Sequence, residues 1–100
     1  MGAERDSAAA EAAEEPARAE RELKEQTEKW LAKLEAELPK ARLTGFLPAK
    51  EGRELLENAR AYVKDCKHFV SKGDWVNAFE AVIYAWGIYE TALRVGALRA

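Results

Sequence analysis

The stretch WVNAFEAVIYAWGIYETALRV, residues 75–95, decides the fold of this 100-residue chain. Its only charged residues are Glu80, Glu90 and Arg94. Large apolar residues recur in it at alternating steps of four and three, which places them on one face of a helix with 3.6 residues per turn. They are Trp75, Phe79, Val82, Trp86, Tyr89 and Leu93. The pattern predicts a core helix with Trp86 at the centre of the core.

Two earlier stretches carry the same helical periodicity. An apolar stripe alternates with charges over residues 17–38, and a broader one does so over residues 49–72. The first stripe consists of Leu23, Thr27, Trp30, Leu34 and Leu38. The second consists of Leu55, Ala59, Tyr62, Cys66 and Phe69, widened by Leu56, Val63 and Val70. We therefore expect two further helices, at about 17–38 and 49–72.

Short segments rich in Pro and Gly separate these helices. Pro39 disfavours helical geometry at Leu38, so a connection is expected over residues 39–48, with a kinked helical continuation to Leu43 as the alternative. Gly73 can adopt the left-handed conformation that ends one helix, and Asp74 can cap the next. The sequence therefore predicts an all-α fold, a three-helix up-and-down bundle over residues 17–96.

The two ends of the chain offer little to bury. Residues 1–16 contain no large apolar side chain apart from Met1, which predicts a flexible Ala/Glu-rich tail. The third helix is expected to end near Gly96, so residues 97–100 are predicted to form a short frayed C-terminus.

Composition and charge argue against several classes of function for this chain. A formal net charge of −2 leaves no excess of Lys and Arg to neutralise phosphates, so nucleic acid is not an expected partner. The start, MGAERDSAAA, contains no apolar run, so neither a secretory signal nor a membrane span is expected. The single cysteine, Cys66, agrees with a reducing compartment. We expect a cytoplasmic protein that binds neither nucleic acid nor membrane.

Three sequence elements of the second half of the chain occur together in a known family. They are a small residue, Ala59 or Ala61, shortly before Tyr62, then Gly73-Asp74, then Tyr84-Ala85-Trp86-Gly87 near Glu90. With these elements, residues 55–98 resemble an archaeal family of short proteins, domain of unknown function family 357. The resemblance implies a three-helix bundle. It implies no functional residues, because the family carries no established activity.

Three candidate chemical sites are considered, and each is rejected for a structural reason. Asp65-x-x-His68 resembles half of a carboxylate–histidine metal motif, but both residues flank the apolar stripe on the side of Lys72, which indicates solvent. Cys66 occupies a core position, which favours a buried inert thiol over a nucleophile. Arg60 and His68 are spaced too far apart for the Arg and His motif of HEPN-class helical nucleases. No catalytic residue, metal ligand or cofactor is predicted.

The face of the third helix opposite Trp86 is the candidate interface. At 100° per residue it carries Asn77, Glu80, Tyr84, Gly87 and Thr91, flanked by Ile88 and Val95. A solvated helix face normally carries more charge, and Gly87 costs about 1 kcal/mol in a helix interior relative to alanine. Three interpretations stay open: a sparsely charged surface, closure by the N-terminal segment, or a contact face for another subunit or partner.

The function predicted from these patterns is that of a structural or protein-interaction module. It is expected to self-associate as a homodimer through the third helix, since two-fold dimers are the commonest assembly. Another protein is the alternative partner. The alternative function is an enzyme or nuclease-like helical bundle whose site is completed in an oligomer by Asp65, His68, Glu80 or Glu90.

Overall fold

We describe the protein from a computed structural model, which covers the backbone of residues 2–100 and the side chains of residues 16–100. Its helices are α1 (Gly2–Glu37), α2 (Ala49–Ser71) and α3 (Trp75–Arg94). A 3-10 helix, Leu38–Lys40, follows α1. Strands β1 (Arg42–Leu43) and β2 (Leu98–Arg99) form a small antiparallel pair. The predicted all-α bundle of three helices is confirmed.

Helix α1 begins further upstream than the sequence predicted. Its helical backbone starts at Gly2 and passes through Pro16, whereas a start near residue 17 was expected. The flexibility predicted for residues 1–16 falls largely outside the described residues, and it stays a prediction. At its other end α1 stops at Glu37, and Pro39 lies in the 3-10 helix. The connection over residues 39–48 is therefore present, and the kinked helical continuation to Leu43 is not.

The link between α2 and α3 is as short as the sequence predicted. Gly73 has a φ of 71°, in the left-handed region, and its N–H donates to the Val70 carbonyl at 3.0 Å. The Asp74 carboxylate caps α3 by accepting from the Asn77 backbone N–H at 3.1 Å and from the Asn77 side-chain amide at 2.6 Å. These two bonds, the side-chain one first, hold the pKa of Asp74 below its usual range.

The core lies on the alanine side of α3, which corrects the predicted core face. Of the six residues in the predicted stripe only Val82 and Tyr89 are buried, and the other four, Trp86 among them, are partly exposed. The remaining buried residues of α3 are Ala78, Ala81, Ala85 and Ala92. Because alanine adds only a methyl group, neighbouring helices can approach the α3 backbone closely on this side. Trp86 therefore lies at the edge of the core and not at its centre.

Helices α1 and α2 both pack on α3 and contact each other much less. Leu34 of α1 and Cys66 of α2 are fully buried in the shared core. Thr27 is buried as well, and its hydroxyl donates to the Leu23 carbonyl at 2.7 Å, so its burial leaves no unpaired donor. As a result α3 lies between the other two helices, with its remaining face outward.

The C-terminal residues are ordered by pairing, contrary to the frayed end predicted for residues 97–100. Gly96 has a φ of 78°, as its predicted role in ending the helix requires. The chain then folds back, so that Leu98 lies opposite Leu43 in the strand pair. The Thr44 backbone N–H donates to the Ala97 carbonyl at 3.4 Å. Leu98 is only 3% exposed, so the end of the chain completes the core.

Candidate functional site

The outward face of α3 lines an open groove with a volume of about 1020 Å³. Leu23 from α1, Leu55 from α2 and Leu47 from the loop between them complete its lining. Glu80 is the one charged residue among the described residues that line it. The groove is therefore an apolar surface, and it runs along the helix that holds the bundle together.

The exposed apolar side chains of the molecule are concentrated in this groove. Val76, Ile83, Tyr84 and Val95 all lie on the outward face of α3, with Val76 67% and Tyr84 59% exposed. Elsewhere among residues 16–100, the large apolar residues that are exposed are Leu43 and Phe46. Contiguous exposed apolar surface on a small protein commonly marks an interaction site.

The structure brings most of the candidate interface residues together. Five of the six line the groove, namely Glu80, Tyr84, Gly87, Ile88 and Thr91. Asn77 does not line it, and its amide donates to the capping carboxylate of Asp74 at the start of α3. Asn77 lines a smaller hollow on the α2 side of α3.

Sequence reasoning missed several residues of the groove, for two different reasons. Val76 and Ile83 lie between the predicted core face and the predicted back of the helix, so a helical wheel centred on Gly87 would have found them. Leu23, Leu47 and Leu55 belong to other elements, and only the tertiary packing brings them beside α3.

Gly87 lines the groove, and no contact within the described chain requires a glycine there. A Cβ placed on Gly87 would meet no atom within 4 Å, and its φ is not positive. Gly52 is different, because a Cβ there would lie 2.9 Å from Cδ2 of Leu43. The cost of a glycine inside α3, about 1 kcal/mol relative to alanine, is therefore not offset by packing inside the described chain.

The smaller hollow, of about 150 Å³, brings two carboxylates near each other. Asp65 and Glu80 both line it, beside the rings of Tyr62 and Tyr84, whose centroids are 4.8 Å apart. His68 and Glu90, also named in the enzymatic alternative, are not part of its lining. Within the part of the chain that the structure describes, no three His, Cys, Asp or Glu side chains are grouped to hold a metal ion.

Cys66 is fully buried between the helices. Burial raises the pKa of its thiol, and the nearby Glu35 carboxylate shifts it in the same direction, whereas Lys67 opposes both. A thiol that stays protonated in an apolar core packs as a small apolar side chain and does not act as a nucleophile.

The fold and the groove define a class of protein: a small three-helix bundle whose third helix lies between the other two and exposes an apolar face. The sequence model of the family described as "Protein of unknown function (DUF357)" matches residues 7–98, so the chain belongs to this family. The match extends well beyond residues 55–98, on which the resemblance in the sequence rested.

A solved structure of an archaeal member of the family is similar to this chain. It is the crystal structure of protein AF1782 from Archaeoglobus fulgidus, with a TM-score of 0.71 and 34% sequence identity. The similarity covers 81% of this chain and 96% of that chain. A comparison with curated proteins found no match. Within residues 2–100, none of the helices has the length and apolar character needed to cross a membrane.

Proposed function

We propose that this chain is a structural or protein-interaction module that forms a homodimer through the outward face of α3. The observation that carries the proposal is the groove of about 1020 Å³, whose described lining contains Glu80 as its one charge. Burying apolar surface gains roughly 25 cal/mol per Å², so covering this groove with another protein surface is favourable.

The length of α3 suits a helix-to-helix contact. Helix α3 has 20 residues, and a helix of that length spans about 30 Å.

A second copy is the proposed occupant of the groove. In a two-fold dimer the same face is used on both copies, so one apolar groove covers the other and no second type of surface is needed. The proposal also places the protein in the cytoplasm, where reducing conditions suit its single cysteine, a buried free thiol.

The mass of the protein in solution, measured by light scattering from low to high micromolar concentration, tests the proposal. We expect the wild-type mass to rise towards that of a dimer, and Gly87→Arg to stay monomeric, because the arginine would block close approach and bury an unpaired charge. Arginine favours helix more than glycine does, so this variant should fold. Ala61→Arg, on an exposed position of α2, is the matched control and should dimerise like the wild type.

Two results would contradict this proposal. A wild type that remains monomeric at high micromolar concentration would exclude the homodimer. A dimer that tolerates Gly87→Arg would place the contact on a different face of the molecule.

The enzymatic alternative has one observation in its favour, the shared hollow of Asp65 and Glu80. It requires a divalent metal ion bound by both carboxylates. Elemental analysis of the purified protein, compared with an Asp65→Asn, Glu80→Gln double variant, separates the two functions. Stoichiometric metal in the wild type that is lost from the variant would favour the enzyme, and equal, trace amounts in both would count against it.

A further inference from the structure

On the basis of the proposed self-association, we infer that the two copies of α3 pack antiparallel, with Gly87 on the two-fold axis. In this arrangement Glu80 of each copy forms an ion pair with Arg94 of the partner subunit. The inference depends on the proposed homodimer and adds to it the direction and the register of the contact.

The position of the axis follows from Gly87. In a two-fold contact each residue on the axis meets its own copy, so the helices approach most closely where that residue is smallest. The distance between packed helices, 8–10 Å, is set by the side chains at the point of contact. Gly87 has no side chain and has open space above it.

The direction of the contact follows from charge. Glu80 and Arg94 lie seven residues before and seven residues after Gly87. Seven residues are nearly two full turns of helix, so all three lie along one stripe of α3. Antiparallel packing about Gly87 places Glu80 opposite Arg94 of the partner subunit, and symmetry repeats the pair. A parallel dimer would place like charges opposite each other, which is unfavourable.

Both charges are available for such a pair. Glu80 and Arg94 are exposed, and the ion pairs among residues 16–100 are Glu37 with Lys40 and Glu35 with Lys67. Within one chain Glu80 and Arg94 are separated by about 21 Å along the helix axis, too far to contact each other. Their charges complement each other only between two copies.

Charge reversal tests the register. We expect Glu80→Arg alone and Arg94→Glu alone to weaken the dimer about tenfold or more, since each places like charges together twice in the symmetric contact. The double variant, Glu80→Arg with Arg94→Glu, restores opposite charges and should dimerise within about threefold of the wild type. Lys64→Glu, on an exposed position of α2, is the control and should have no effect. Sedimentation equilibrium measures all five proteins.

Cysteine crosslinking tests the position of the axis. Gly87→Cys should form a disulfide-linked dimer under mild oxidation, because the two introduced thiols meet at the axis. Thr91→Cys should not, since its two copies would be about 12 Å apart along the helices, beyond the reach of a disulfide. The native Cys66 is buried and does not compete.

The results can show separately whether the register is wrong and whether the proposed self-association is wrong. A wild-type dimer that is unaffected by the single reversals, or is not restored by the double variant, overturns the register and leaves self-association standing. Crosslinking at Thr91→Cys but not at Gly87→Cys does the same. A wild type that is monomeric at every concentration overturns both.

Discussion

The indole N–H of Trp86 donates a hydrogen bond to the backbone carbonyl of Trp30 at 2.9 Å, and the two rings meet edge to face with their centroids 5.7 Å apart. This contact joins α3 to α1. It also explains why Trp86 lies at the edge of the core, since an indole has an apolar body and a polar N–H that needs a partner when buried.

Trp86 should contribute to stability through both its ring and its N–H. We expect Trp86→Ala to lower the free energy of unfolding by about 3 kcal/mol, the lower end for a large aromatic because this one is only partly buried. Trp86→Phe keeps a ring and should cost about 1 kcal/mol for the lost hydrogen bond. Urea denaturation at one fixed protein concentration measures both. An unchanged midpoint for Trp86→Ala would refute the contact.

Ala85 should tolerate no larger side chain. It is fully buried where α3 meets its neighbours, so Ala85→Leu should destabilise the bundle by about 1–3 kcal/mol through overpacking. Ala61→Leu makes the same change at an exposed position of α2 and should have little effect on stability. Equal midpoints for the two variants in urea would mean that the core does not lie on the alanine side of α3.

Leu98 should contribute more to stability than Leu43, its partner across the strand pair. Leu98 is 3% exposed and Leu43 is 38% exposed. We therefore expect Leu98→Ala to cost about 2–3 kcal/mol, and Leu43→Ala clearly less. Thermal unfolding of both variants checks this. If Leu98→Ala unfolds at the wild-type temperature, the C-terminal residues do not contribute to the core.

The Asp74 cap should make stability depend on pH. Because folding lowers the pKa of Asp74, its charged form adds stability in full above about pH 4, and that stability is lost as the pH falls through the lowered pKa. Asp74→Asn caps α3 without a charge that titrates. The wild type should therefore lose part of its advantage in stability over Asp74→Asn between pH 7 and pH 3, as measured by urea midpoints at both values. A difference in urea midpoint between the two proteins that is the same at both pH values would contradict this prediction.

Residues 1–16 are predicted to be dispensable for folding. Met1 is their one large apolar residue, so they have little with which to offset the entropy of ordering. A chain that begins at residue 17 should melt within a few degrees of the full chain by circular dichroism. A larger decrease would show that this segment packs against the bundle.

The bounds of α2 and α3 and the end of α1 could be predicted from the sequence because the forces that set them are local. Gly73 and Asp74 act on the backbone within a few residues of themselves, and Pro39 acts on the residue before it. For the same reason α2 and α3 begin and end within one residue of the predicted bounds. Most of the candidate interface could also be predicted, since the helical repeat identifies a nearly uncharged stripe through Gly87.

Only the tertiary structure decided which face of α3 lies in the core and how the C-terminal residues are held. Helix α3 is apolar around most of its circumference, so periodicity cannot choose between its large side chains and its alanines. The choice is made by α1 and α2, which pack where Ala78 and Ala85 let them approach closely and leave Ile83 outside. Likewise Leu98 is held by Leu43, more than fifty residues earlier in the chain. Contacts between residues so distant in sequence leave no local pattern, so they appear only once the helices are assembled.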